Sequence, residues 1–137
     1  MSDKNNLTAF LHPVQVEEQE IVISNRFQDE DGKPVPFTIR AITQAENEEL
    51  LRLSTRRRKV GGQMVETRDK VEYGRRVVVA ATVWPDFHQE ELCKAYGVMD
   101  PLEVPGKMLL TGEYGMLSDA ILELSGLRDD LGDAAKN

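Results

Sequence analysis

The hydrophobic period of this chain changes at Thr43, and that change restricts the fold more than any other feature. Upstream, apolar residues follow strand rules. Val16 to Phe27 carries the β-branched centre Ile21-Val22-Ile23, and Phe37 to Ile42 alternates Phe37, Ile39 and Ala41 with Thr38, Arg40 and Ile42. Between them, Asp29-Glu30-Asp31-Gly32-Lys33-Pro34 contains an Asp-Gly step that favours a tight reversal, because glycine tolerates positive φ. The spacing predicts a β-hairpin. Thr43-Gln44-Ala45-Glu46 then matches the capping box, in which the hydroxyl and the carboxylate each satisfy an orphan helix N–H. A helix is expected from there to about Arg57, with Leu50 and Leu53 inward. It ends in Arg56-Arg57-Arg58-Lys59, where cations suit the negative end of the macrodipole.

Gly61-Gly62 breaks that helix, and the flanking Val60 and Met64-Val65 fit a small second hairpin or a loop. From Thr67 to Trp84, Val77-Val78-Val79 favours strand, whereas Tyr73, Val77, Ala80, Ala81 and Trp84 recur at helical spacing; the length of the run decides for a helix, apolar nearly all round and therefore central. Pro85 stops it. Asp86 is expected to cap a short helix closed by Gly97, and Asp100-Pro101-Leu102-Glu103 to start another, interrupted at Pro105-Gly106. The last helix opens at Thr111 and carries the stripe Tyr114, Leu117, Ile121, Leu124 before Gly126. Near the start, Leu7, Phe10 and Leu11 fit one helical turn ended by His12-Pro13. The expected fold is α+β: an N-terminal β-hairpin packed on a mainly α-helical bundle. One domain is expected over residues 1–131, with a frayed polar tail over 132–137.

Composition narrows the function. The 137 residues carry 24 acidic and 17 basic side chains, a net charge of −7, so the average surface repels nucleic acid and anionic lipid. Met1 to Asn6 lacks the apolar core of a signal peptide, and no apolar run approaches the roughly 20 residues that cross a bilayer. The only cysteine, Cys93, has no internal disulfide partner, in keeping with a reducing cytoplasm.

Motifs of catalysis or metal binding fail on spacing. Aligning Gly32 with the glycine of a calcium loop puts Phe27 at the first ligand position and Thr38 where a bidentate Glu belongs. Gly32-Lys33 lacks the rest of a phosphate-binding loop. His12 and His88 are distant, and Cys93 sits five positions after His88, outside helical near-neighbour spacing, so it reads as a small buried apolar residue. No cofactor or catalytic residue is expected. Two features remain. Arg56, Arg57, Arg58 and Lys59 are a solvated helix end, a docking point for an acidic protein, or, against the net charge and without interleaved aromatics, a nucleic-acid contact. Tyr114, Leu117, Ile121 and Leu124, with Leu109 and Leu110 just before, are core or a groove for a partner helix.

Three stretches together carry a family resemblance. These are Arg26-Phe27-Gln28-Asp29-Glu30-Asp31-Gly32-Lys33-Pro34 running into Ile39-Arg40-Ala41-Ile42-Thr43; Ala80-Ala81-Thr82-Val83-Trp84-Pro85-Asp86; and Tyr96-Gly97-Val98-Met99 followed by Lys107-Met108-Leu109-Leu110-Thr111-Gly112-Glu113-Tyr114. The chain resembles the XkdN-like tail assembly chaperones of long-tailed phages and phage-derived elements, in the same order from Leu7-Thr8-Ala9-Phe10 to Ala135-Lys136-Asn137. The resemblance implies a non-enzymatic protein of the bacterial host cytoplasm that holds the tape measure protein during tail construction and is absent from the finished tail. The tail tube protein is a further candidate partner, and homo-oligomerisation is left open. The expected mechanism is shallow apolar contact through the C-terminal stripe, with Arg56 to Lys59 steering acidic stretches. Replacing Leu117 and Ile121 by Asp is expected to abolish binding with the fold intact, whereas unfolding marks the stripe as core. The rival readings are a structural tail completion or adaptor protein and a small nucleic-acid-binding regulator.

Overall fold

The computed structural model describes residues 6–127. The expected turn near the start is α1 (Thr8–Leu11), with His12 N–H bonded back to the Thr8 carbonyl at 2.9 Å. The hairpin follows as β1 (Gln19–Ile21) and β2 (Phe37–Ile39), antiparallel with Ile21 opposite Phe37. It is looser than the sequence suggested, because strand pairing stops at Ile21 and residues 22–36 form a long connection. The Asp-Gly reversal lies inside that connection. Gly32 takes φ +78°, and one Asp29 carboxylate oxygen accepts the Asp31 and Lys33 N–H groups at 2.8 and 2.9 Å. Ile23 leaves the ladder to enter the core.

The change of period at Thr43 is a helix start. The Thr43 hydroxyl accepts the Glu46 N–H at 3.2 Å and the Glu46 carboxylate accepts the Thr43 N–H at 3.1 Å, opening α2 (Gln44–Leu53). The Arg40 guanidinium grips the same carboxylate at 2.6 and 3.0 Å. That ion pair, with the Thr43 bonds, holds Glu46 at about 2.

The helix stops four residues short of Arg57, and this corrects the reading of Arg56-Arg57-Arg58-Lys59 as a helix end. Ser54 closes α2 by returning its hydroxyl to the Leu50 carbonyl at 2.8 Å. The cations then lie on β3 (Thr55–Val60), paired along its whole length with β4 (Gln63–Arg68). Gly61 and Gly62, at φ +58° and +83°, form a two-residue loop in which both positions need positive φ. The second hairpin is thus real and longer than its glycines alone suggested.

Asp69 caps α3 (Lys70–Ala81) by accepting the Glu72 N–H at 3.0 Å. Val77, Val78, Val79 and Ala81 are buried on successive sides, as a central helix requires. A second correction falls at its end. Thr82-Val83-Trp84 leave the helix as β5 (Thr82–Trp84), which pairs antiparallel with β2 to complete a sheet of order β1-β2-β5. The proline at 85 disfavours helical backbone at Trp84, and β2 offers an open ladder to a β-branched, aromatic segment. The next helix, α4 (Glu90–Ala95), starts at Gln89; Asp86 accepts the His88 N–H at 3.0 Å instead of capping it. Gly97 closes it at φ +67°. A 3₁₀ turn at Pro101–Glu103 begins with Asp100 accepting the Leu102 N–H. Pro105-Gly106 interrupts nothing: Pro105 occupies the first turn of α5 (Val104–Met108), where its missing N–H is harmless.

The last helix, α6 (Thr111–Leu124), lies against α3. Ile39, Val78, Phe87, Val104, Leu117 and Ile121 are fully enclosed where sheet and helices meet. Each such side chain contributes about 1.5–3 kcal/mol by burial. Cys93 is buried beside Phe87, as its apolar reading implied. No helix among the described residues is long and apolar enough to cross a membrane. The expected tail over 132–137 lies outside the described residues.

Candidate functional site

The stripe expected on α6 divides when its burial is measured. Leu117 and Ile121 have no exposed surface and belong to the core, so neither can meet a partner in this conformation. Leu124 is half-buried against the same core. Tyr114, Leu109 and Leu110 lie differently. Tyr114 is half-buried, Leu109 is buried on one side and lines a surface groove on the other, and Leu110 is 59% exposed.

The groove arises from how three helices meet. Asp69 fixes the start of α3, so Lys70, Val71, Gly74 and Arg75 share an outward face of its first turns. Gly106 and Leu109 at α5 and Thr111 and Tyr114 at the start of α6 form the opposite wall, enclosing about 400 Å³. The floor is low because two glycines contribute no side chain. A Cβ at Gly74 would meet only the Tyr114 hydroxyl, at 3.7 Å, and one at Gly106 would meet nothing within 4 Å. Val71, 65% exposed, stands at the rim between Lys70 and Arg75. Burial pushes the Tyr114 hydroxyl up from its ordinary value, with the Arg75 charge opposing, so Tyr114 presents a neutral hydroxyl to the groove. The result is an apolar trough with a cationic rim on an acidic chain.

One clamp holds the α6 side of that trough. Glu113 accepts the Leu110 N–H at 2.7 Å and takes the Arg26 guanidinium in a two-pronged pair at 2.6 and 2.8 Å. Arg26 also donates to the Met108 carbonyl at 3.1 Å and lies over the Phe27 ring. The Arg26 pair, reinforced by Ser24 and the Leu110 amide, holds Glu113 at about 2. Arg26 therefore ties the connection 22–36 to the α5–α6 junction.

A second apolar surface precedes β1. Leu7, Phe10, Leu11, Val14 and Val16 are all exposed, Phe10 at 81%. Several large apolar side chains along one arm are uncommon on a chain that works alone. The expected basic run is elsewhere, on β3. Arg56 pairs with Glu72 at 2.5 Å and Arg57 with its cross-strand neighbour Glu66 at 3.0 Å, while Arg58 and Lys59 have no ion pair among the described residues. Sequence reading missed Lys70, Val71, Gly74 and Arg75. The available signal was that Val71 and Gly74 extend the stripe of Val78 by steps of three and four, beyond what the fold covers.

Comparison with known proteins agrees with this architecture. Residues 7–137 match the family model described as phage XkdN-like tail assembly chaperone protein, TAC. The chain is 38% identical over 149 residues to the uncharacterized protein YqbN of Bacillus subtilis (strain 168), covering the whole of both. It is 33% identical over 141 residues to the phage-like element PBSX protein XkdN of the same strain, covering 97% of this chain and 95% of that one. The crystal structure of the protein YqbN superposes with a TM-score of 0.72 at 32% identity, covering 88% of this chain and 96% of the other. The chain belongs to the XkdN-like phage tail assembly chaperones.

Proposed function

We propose that this chaperone binds the tape measure protein during tail construction, seats an amphipathic client helix across the α3–α5–α6 groove, and leaves before the tail is complete. The groove carries the reading: it is open, apolar at its floor, and rimmed by Lys70 and Arg75. A tape measure is a long helical chain whose apolar faces are bare until tube subunits enclose it, and a shallow trough masks such a face reversibly. The cationic rim favours client helices with acidic residues beside their apolar stripe. Leu109 and Tyr114 line this groove and Leu110, exposed next to Leu109 in the chain, adds apolar area beside it; the exposed arm from Leu7 to Val16 offers more.

Co-expression tests it. The wild-type chain is expected to raise the soluble yield of the tape measure protein. Gly74→Leu fills the trough at a helical position where leucine is the better helix former, and Val71→Asp puts a charge on its rim. Both variants are expected to remain folded and to lose the solubilising effect. Undiminished client yield with Gly74→Leu refutes the groove. Detection of the chain in purified particles by mass spectrometry refutes the transient role and favours a structural tail component.

A further inference from the structure

We propose that the trough reads its client by one bulky aromatic side chain seated between Gly74 and Gly106, with client carboxylates about one helical turn away meeting Lys70 and Arg75. This inference rests on the groove reading above and narrows it to a class of client: an amphipathic helix carrying an acid-flanked tryptophan or phenylalanine.

The floor of the trough is a space that the fold itself does not require. Gly74 lies inside α3 with a backbone that any residue can adopt, and a Cβ there would make only an ordinary contact with the Tyr114 hydroxyl. Gly106, inside α5 on the facing wall, is equally free, with nothing within 4 Å of a Cβ. Alanine is the better helix former at both positions. Gly112 and Gly115 of α6 share this freedom but lie outside the trough; at Gly74 and Gly106 the missing side chains open a recess within its 400 Å³.

The lining selects what fills the recess. Tyr114 and Leu109 wall it and Arg75 stands beside it. An aromatic guest can pack edge-to-face on Tyr114 and beneath the Arg75 guanidinium, which an aliphatic guest cannot do. The Tyr114 hydroxyl adds a polar signal. Tyr114 is half-buried, its hydroxyl lies close to Gly74, and it forms no hydrogen bond among the described residues, whereas the Tyr73 hydroxyl donates to Asn47 Oδ1. Buried phenols ordinarily find a partner, and an indole N–H entering the recess supplies one, which ranks tryptophan above phenylalanine. Charge fixes the flanks. Lys70 and Arg75 are exposed and form no ion pair among the described residues, on a chain of net charge −7. Cations before and after Gly74 along α3 fit carboxylates three or four residues before and after the anchor, where they share its face of the client helix.

Fluorescence anisotropy of labelled amphipathic helical peptides, titrated with the full chain, tests the proposal. The peptides differ at one central anchor, Trp, Phe, Leu or Ala, and carry Glu about one turn to either side. The wild type should bind them in that order, with Trp over Ala by more than about tenfold. Gly74→Ala with Gly106→Ala should raise the thermal midpoint, as better helix formers do, and should lower the Trp-over-Leu affinity ratio by more than about fivefold. Tyr114→Phe should bring the Trp peptide down to the affinity of the Phe peptide. Lys70→Glu with Arg75→Glu should weaken Glu-flanked peptides by more than about tenfold and favour Lys-flanked ones. Equal affinity for Trp and Leu anchors, or a double alanine variant that keeps the wild-type ratio, overturns the aromatic seat. The groove reading fails separately. If Gly74→Leu leaves solubilisation of the tape measure protein intact, groove and seat both fall; if it abolishes solubilisation while no peptide binds the wild type, the groove stands and the seat is refuted.

Discussion

The α3–α6 layer and the β3–β4 ribbon are held by different physics. In the layer, Val78, Leu117 and Ile121 are enclosed on all sides and burial dictates conformation. In the ribbon, no residue from Arg56 to Arg68 is buried, and order comes from the hydrogen-bonded ladder, a glycine pair and ion pairs such as Arg57–Glu66. The layer is built to be stable, and the ribbon is available to touch something. The difference teaches that an apolar stripe read from helical spacing need not be a surface, because the deepest part of the α6 stripe, Leu117 and Ile121, is core.

Substitutions in the two regions should separate by several kcal/mol. Leu117→Ala is expected to cost about 2–5 kcal/mol in chemical denaturation, and Leu117→Asp or Ile121→Asp to unfold the chain, visible as loss of the cooperative transition. A folded Leu117→Asp protein would mean that α6 can lift from the core. Acid should come next. The carboxyls of Glu113 and Glu46 are both held at about 2 against an ordinary 4.5, so the stabilisation they provide is complete above about pH 4.5 and is lost as pH falls towards 2. Glu113→Gln should flatten part of that acid limb; an unchanged limb would show that the Arg26 pair is not linked to folding. Thr43→Ala removes half of the capping box and should cost about 1 kcal/mol. At the small end, Arg58→Ala with Lys59→Ala should shift stability by no more than about 0.5 kcal/mol. A larger loss would show that the ribbon contributes to the fold.

The same contrast explains what was legible in the sequence. Thr43 and Glu46 announce their helix because a capping box is a local device, and Val77 to Val79 read as helix because the helical spacing from Tyr73 to Trp84 outlasts a short strand signal. The ribbon was harder, because exposure on both faces erases the alternation that marks a strand, and arginine is a good helix former. Its register was nevertheless implicit in the Gly61-Gly62 pair: counting back from a two-residue loop places Arg57 opposite Glu66. β5 was hidden in the end of a helical run and needed β2 as a partner to show itself. The groove was not legible because it is made of what α3, α5 and α6 leave uncovered, which depends on how those helices pack.

Glu113 serves two masters, and this couples parts of the chain that are far apart in sequence. Its carboxylate is at once the acceptor that starts α6 and the seat of Arg26, so the long connection 22–36 and the first turn of α6 hang from one peg. Neither can swing away without freeing the other. Amide exchange at Leu110 should therefore keep time with exchange in that distant connection, and both should slow together when a client presses on the trough beside them.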